Sequence, residues 1–296
     1  MRAAVVRNPR AHGNRAGKRA DAPSGVTIAE PMTPQALAAD LKRFASDKVE
    51  LLVIDGGDGT VREVLTALPA AFKPLLAVLA SGKTNILAFD LGVPRSWTLG
   101  DALAAADRPE RRIVERSPLR LQRARAQPVA GFVFGTAGYV RGTALAGDAH
   151  RARVFQNAAV ALTIGRAVAR TLGGSGDLRN GEPLTLAIDG GPARSGARLV
   201  LMATTLERLP FGMRPFGPAP GLKVLDVDAP PRALAAAVPK LLWGEDEAWL
   251  AARGYRRGPA DVLTVSLDGE IIVDGETYPG GDLTITEGRA LRFLVP

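Results

Sequence analysis

The chain has 296 residues, 46% of them hydrophobic, which is enough for two domains with sizeable cores, and 38 Lys and Arg against 30 Asp and Glu give it a net charge of +8. It has no Cys and only two His, His12 and His150, so thiolate metal sites, disulfides, Cys nucleophiles and a His-rich metal site are excluded and acid–base chemistry falls to Asp and Glu. The basic balance favours an anionic partner, whether nucleotide, nucleic acid or bilayer; the apolar run "AAVV" near the N-terminus is too short for a signal-peptide core, and nothing approaches the roughly 20 apolar residues of a membrane span, so the expectation is a soluble, cytoplasmic protein.

In chain order, "RAAVVRN" reads as a short β-branched strand ending at Asn8-Pro9. Thr33-Pro34 opens an amphipathic helix, "TPQALAADLKRFAS", with Thr33 as N-cap and Pro34 at the first helical position. "VELLVID" is a buried strand, followed by Gly56-Gly57-Asp58-Gly59-Thr60 and a helix, "VREVLTAL". "LLAVLA" is another strand, running into "SGKTN" and a helix, "ILAFDLG", that Gly92 closes. Strand, loop and helix in repetition predict a parallel sheet covered by helices over residues 1–116.

From Ser117 the pattern changes to short alternating runs separated by turns, among them "PLRLQRA", "AGFVFGTAG", "PLTLAID", "ARLVLMATT", "DVLTVSLDG" and "DLTITEG". Helical stretches near 152–170 and 231–243 interrupt them. Residues 117–296 therefore read as a mostly antiparallel second domain, a β-sandwich, and no internal repeat is visible. Seven Arg lie between positions 108 and 125, most of them read as a solvated face, while residues 258–288 hold seven carboxylates and no Lys or Arg.

Two loops carry the chemistry. A phosphate loop needs glycines, so that backbone N–H groups can crowd an anion, and gains from opening a helix with its electropositive end. "DGGDGTVREV" has the glycines after a strand, and Thr60-x-x-Glu63 has the form of a capping box. Asp58 would repel phosphate there unless Mg²⁺ lies between them or Asp58 takes a proton from an attacking hydroxyl. A side chain at Gly57 is expected to fill the space phosphates need. Gly82-Lys83-Thr84 has the last residues of a Walker A loop, but position 77, where that loop requires Gly, is Ala. "SGKTN" is instead a second strand–turn–helix junction. Two junctions at strand carboxyl ends make a crevice of the kind in which α/β folds bind ligands.

"NP" near the start, "DGGDGT", Gly82-x-x-Asn85 with a helix beginning "NILA", and a late "VDGE" before "ALRFLVP" resemble, in this order, the diacylglycerol kinase catalytic-domain family. That family includes bacterial lipid kinases and sphingosine kinases and is related more distantly to NAD kinases. The resemblance implies an N-terminal Rossmann-like parallel α/β nucleotide-binding domain, a C-terminal mostly antiparallel β-sandwich domain and a site between them, with the last strand packing back on the first domain. It implies ATP and Mg as cofactors and transfer of the γ-phosphoryl group to the hydroxyl of a membrane lipid such as diacylglycerol. It also assigns residues. Asn8, Gly56, Gly57, Gly59 and Thr60 would meet the nucleotide, with Gly82, Thr84 and Asn85 as a second wall and Lys83 an added cation. Gly138 and Tyr139 would lie near the lipid, and Asp58 and Glu276 would be the catalytic carboxylates, with Asp274 and Gly275 completing the centre.

The triplet Asp-Gly-Glu occurs at 268–270 and at 274–276. Asp-Gly between apolar runs is also a hairpin signal. The turn is assigned to Asp268-Gly269, because strands flank it, and the site to 274–276, by its spacing to the last strand. The family usually has Thr at Lys83, an acidic residue at Ile86, Asp at Val140, and Asp-Gly-Leu where Pro220-Gly221-Leu222 stands; that last acid goes with a structural metal in bacterial members. An NAD kinase and a non-catalytic nucleotide- or lipid-binding regulator are the alternative readings. A lipid kinase with no membrane span must meet its substrate at a surface, so peripheral contact with the anionic inner face of the membrane is expected, through the Arg of 108–125 or Arg151 and Arg153. Nucleic acid is not expected as a partner, since the 15 aromatic residues are not interleaved with basic ones.

Overall fold

A computed structural model describes residues 1–14, 23–124, 126–138, 140 and 179–296. The chain divides into two compact units, Met1–Pro118 with Gly288–Pro296, and Leu119–Glu287.

Among the described residues, the first unit holds a six-stranded sheet. In chain order come β1 (Ala3–Arg7), β2 (Val26–Ala29), α1 (Pro34–Ser46), β3 (Leu51–Gly56), α2 (Asp58–Ala67), β4 (Leu75–Ala80), α3 (Ile86–Asp90), α4 (Leu99–Ala106) and β5 (Arg112–Arg116), and the last strand of the chain, β15 (Leu291–Val295), returns to it. The strand order is β2-β1-β3-β4-β15-β5, parallel throughout except for the β15–β5 pair. The strands β1 and β3 are buried along their whole length, which explains why they read as continuous apolar runs rather than alternations. Leu37, Leu41 and Phe44 of α1 and Val61, Val64 and Leu65 of α2 supply the buried faces of the helices. Thr33 caps α1 by accepting the Ala36 N–H at 3.2 Å, with Pro34 beside it in the first turn. The helix α4 and the strands β2 and β5 were not anticipated, although Thr98 and Asp101 form a capping box that marks the start of α4.

The start of α2 differs from the expected one. Gly57 is the N-cap, extended at φ −96° and ψ −174°, and no side chain caps the helix. Thr60 is thus the third helical residue, and its hydroxyl accepts the Asn8 amide N–H at 3.0 Å rather than capping.

Among the described residues, the second unit holds one antiparallel sheet of nine strands. They are β6 (Leu119–Arg123), β7 (Val129–Gly131), β8 (Val133–Ala137), β9 (Glu182–Ile188), β10 (Arg194–Thr204), β11 (Lys223–Asp228), β12 (Tyr255–Pro259), β13 (Val262–Val273) and β14 (Glu276–Glu287). Their order is β12-β11-β10-β8-β13-β14-β6-β7, and β9 pairs with the free lengths of β10 and β13. Two helices, α5 (Leu234–Trp243) and α6 (Glu247–Ala251), lie between β11 and β12, where one helical stretch was expected. Phe134, Leu201, Leu263, Ile271 and Ile285 centre the larger core, and Leu225, Val227, Leu234, Leu250 and Tyr255 a smaller one under the helices. The helix expected at 152–170 lies outside the described residues.

The hairpin assignment is reversed. Strand β13 runs through Asp268-Gly269, where the pairing with β14 shifts register between Leu267 and Glu270. The chain turns instead at Asp274-Gly275, with Val273 opposite Glu276 and φ of 46° and 83° at the two loop residues. Positive φ at both positions is the signature of a two-residue type I′ turn, and it suits Asp-Gly.

Candidate functional site

Adjacent parallel strands β3 and β4 end side by side, Gly56 opposite Ala80, and each passes directly into a glycine-bearing turn. The two turns touch. A Cβ on Gly57 would lie 3.0 Å from the Gly82 Cα, and one on Gly82 would run into the Gly57 Cα and lie 2.7 Å from the Asn85 Oδ1. A side chain at 57 would therefore press on the neighbouring turn, a constraint separate from the expected need to leave room for phosphate. Gly56 is required by Thr60, whose Cβ and Oγ1 would both be 2.5 Å from an added Cβ. Gly59 has only ordinary contacts, the nearest to the Arg62 guanidinium at 3.7 Å.

Asp58 joins the two turns. Its Oδ1 accepts the Ile86 N–H at 2.7 Å, closing the first turn of α3 from outside. Burial pushes its carboxyl above the ordinary value, and the backbone N–H groups of Ile86, Leu87 and Asn85 oppose that shift without cancelling it. Asn85, buried and left-handed at φ 55°, spends its side chain on its own turn: Oδ1 accepts the Gly82 N–H at 2.8 Å and Nδ2 donates to the Gly82 carbonyl at 2.8 Å. Arg95 donates to the Gly82 and Lys83 carbonyls at 3.3 and 2.6 Å. Lys83 and Thr84 are exposed.

Beneath the turns lies a polar hub that sequence reasoning missed. Asp55, buried at the end of β3, receives Arg7 Nε at 2.8 Å, the Ser81 hydroxyl at 2.6 Å and Asn14 Nδ2 at 3.0 Å. Asn8 bonds its backbone N–H to the Asp55 carbonyl at 2.9 Å and its side chain to Thr60. The ends of β1, β3 and β4 are thereby locked together, which holds the glycines in register. The only sequence signal for the hub was a carboxylate inside an apolar strand.

The remaining site candidates belong to the second unit. Asp274 accepts the backbone N–H groups of Phe132 at 3.0 Å and Val133 at 2.9 Å, so its carboxylate anchors the hairpin to the start of β8. Glu276 is exposed at the first position of β14. Gly138 packs against the Leu199 carbonyl. Tyr139, Arg151 and Arg153 lie outside the described residues. Four of the described residues of the Arg-rich stretch have partners: Arg116 is buried 2.6 Å from Asp90, Arg112 donates to the Pro296 carbonyl at 2.8 Å, Arg111 to the Ala106 carbonyl, and Arg123 lies over the Tyr278 ring at 5.1 Å. Gly221, beside Pro220 in the altered triplet, has φ 74°. Among the described residues no group of three or more His, Cys, Asp or Glu is placed to hold a metal, and no helix is long and apolar enough to cross a membrane.

Residues 2–115, which include both glycine turns and the Asp55 hub, match the diacylglycerol kinase catalytic domain. The match is confined to this part of the chain, which is similar to that domain. An 82-residue segment is 40% identical to the diacylglycerol kinase of Bacillus subtilis (strain 168), covering 27% of this chain and 24% of that protein, so the matched segment spans about a quarter of the relative. The whole chain superposes on a diacylglycerol kinase from Bacillus anthracis strain Sterne with a TM-score of 0.66 at 17% identity, covering 100% of this chain and 97% of the other. It superposes less closely, at a TM-score of 0.51 and 14% identity, on an NAD kinase from Archaeoglobus fulgidus in complex with ATP, covering 99% and 93%. At such identities the two structures show a shared fold. The first unit thus supplies the paired turns, and the second unit the antiparallel sheet.

Proposed function

We propose that this protein is an ATP-dependent kinase that transfers the γ-phosphoryl group to the hydroxyl of a membrane lipid of the diacylglycerol class. The observation that carries the reading is the contact of Gly57 with Gly82, which sets two helix-opening turns against each other at the carboxyl edge of a parallel sheet. The ten-residue helix α2 opens with no side-chain cap, so the backbone N–H groups of its first turn suit phosphate oxygens, with the exposed Lys83 as an added cation. The family match favours a lipid acceptor over the nicotinamide nucleotide of the more distant fold relative.

Mg²⁺ fits this donor set in one sense. It is commonly held through substrate phosphates with one or two carboxylates and several waters, and needs no cage of protein ligands. When bound it would neutralise charge on the transferring phosphoryl group. The chain's own contribution is position and proton transfer. Asp58 fixes the geometry of the two turns, and its raised pKa brings a carboxylate nearer the range in which it can accept a proton. Glu276 is the second carboxylate of the proposal. Asn8 and Thr60 sit together at the mouth of α2, where they would orient the nucleotide. Peripheral attachment to an anionic bilayer at the inner face of the membrane belongs to the same proposal, since a lipid acceptor must be met at its surface. Incubation with ATP, Mg²⁺ and a diacylglycerol-bearing vesicle tests the reading; NAD offered in parallel separates it from the nicotinamide alternative.

A further inference from the structure

A cavity of about 810 Å³ opens in the second unit, among the start of β10, the end of β11 and the turn that follows α6. Six arginines line it: Arg179, Arg194, Arg198, Arg232, Arg253 and Arg256. Among the described residues, the ion pairs of these arginines reach two carboxylates only, Asp228 in the wall and Asp226 buried beside it. Six guanidiniums against these two carboxylates, with Asp246 acting on Arg253 from farther off, leave an excess of positive charge around one concavity. A concave, low-dielectric wall of a single sign focuses its field, and like charges held this close are relieved by an anion.

Three of the arginines are also held in place before any ligand arrives. Arg198 Nε lies 2.7 Å from Asp226, and Arg256 grips Asp228 with both terminal nitrogens at 2.8 Å. Arg253 stacks over the Trp249 ring at 3.9 Å. The wall between them is built of small residues, Ser195, Gly196, Ala197, Ala252 and Gly254; Arg198 is buried, while the side chains of Arg194 and Arg256 are partly exposed. Fixing the donors in advance removes much of the ordering cost of binding.

From this arrangement we infer that the cavity is a binding site for a phosphate-bearing anion, distinct from the glycine turns. A guanidinium presents a planar fork that matches phosphate with two parallel hydrogen bonds. A phosphomonoester carries roughly 1.5 to 2 negative charges near neutral pH and three acceptor oxygens, so it answers an excess of several arginines where one carboxylate answers a single charge. The volume lies within the usual span of about 300 to 1,000 Å³ for small-molecule sites. Two sources supply this chemistry, the headgroup of a phosphorylated lipid and a soluble phosphorylated metabolite.

The test is calorimetric titration of the full chain with tripolyphosphate, paired with co-sedimentation on phosphatidylcholine vesicles with and without phosphatidic acid. The variant is Arg194→Gln with Arg232→Gln. The Arg194 side chain is one-third exposed and its partner Asp226 keeps Arg198 and Arg256, while Arg232 gives only its backbone carbonyl to Tyr255. A second variant with Lys at both positions keeps the charge and removes the forks, so a defect of folding in the first leaves the test standing. The expected result is a saturable binding event in the wild type that is weakened at least about tenfold in the Gln variant and partly in the Lys variant, with ATP binding unchanged. Tripolyphosphate displacing the protein from phosphatidic acid vesicles identifies a lipid headgroup as the source; soluble binding with equal sedimentation on both vesicles identifies a metabolite. Equal affinity in wild type and a folded Gln variant, or no saturable binding of either probe, overturns the inference.

Discussion

The Asp58 carboxylate accepts the Ile86 backbone N–H at 2.7 Å, so a residue from the turn after β3 caps the helix that leaves the turn after β4. The two loops are therefore one structural unit, and Asp58 has a structural duty alongside any chemical one. Substitution separates the two. In Asp58→Asn the amide oxygen still accepts the N–H, so the fold is expected to hold while turnover falls about 10²- to 10³-fold through loss of the charge. In Asp58→Ala the capping acceptor is gone as well, and denaturant unfolding should show a further loss of about 0.5–2 kcal/mol.

The raised carboxyl of Asp58 gives a pH signature. Its folded value stands above the ordinary 3.8, so between the two the folded state binds more protons than the unfolded chain. The stabilising contribution is complete below the unfolded value and is lost as pH rises through the folded one. Stability of the wild type relative to Asp58→Asn should accordingly fall with rising pH across that window and then level off. A difference that grew with pH would mean that the hydrogen bonds to Ile86, Leu87 and Asn85 outweigh burial.

Glycines in the two turns should respond in opposite ways. Gly82→Ala drives a Cβ into the Gly57 Cα and toward the Asn85 Oδ1, so thermal unfolding should show strong destabilisation together with loss of nucleotide binding. Gly59→Ala meets nothing closer than 3.7 Å and lies within the first turn of α2, so it should leave stability unchanged or raise it by about 0.4–1 kcal/mol.

The hairpin at 274–275 permits a similar separation. Asp274→Ala removes the acceptor of the Phe132 and Val133 N–H groups and should cost about 1–3 kcal/mol in unfolding experiments. Glu276→Gln alters an exposed side chain and should leave stability intact while turnover falls. Asp268→Asn, within the shifted register of β13, should alter neither much. If Asp268→Asn is inactive and Glu276→Gln fully active, the chemistry belongs to the other triplet.

Sequence reading went furthest where local and tertiary preferences agree. Thr33-Pro34 opens α1 as its residues require, and the glycines of both turns sit at the ends of apolar strands as a phosphate loop would have them. It failed where a distant partner decides. Thr60 and Glu63 have capping-box spacing, but Asn8 takes the Thr60 hydroxyl and the helix begins at Asp58. Both Asp-Gly pairs suit a tight turn, and locally nothing separates them; Asp274 has the N–H groups of Phe132 and Val133, about 140 residues earlier in the chain, to anchor it. The Asp55 hub and the arginine cavity were invisible for the same reason. Their members come together from separate stretches of the chain and carry no motif spacing, whereas in the conspicuous run of 108–125 Arg112, Arg116 and Arg123 are engaged with partners elsewhere in the fold.

The most direct test of the central claim is transfer of label from γ-phosphate-labelled ATP, with Mg²⁺ present, in a mixture of diacylglycerol-bearing vesicles and NAD. The account predicts label in the lipid phase, abolished by Gly82→Ala and strongly reduced by Glu276→Gln. Label recovered in the nicotinamide nucleotide with none in lipid, or no transfer by a protein that nonetheless binds ATP, would contradict it.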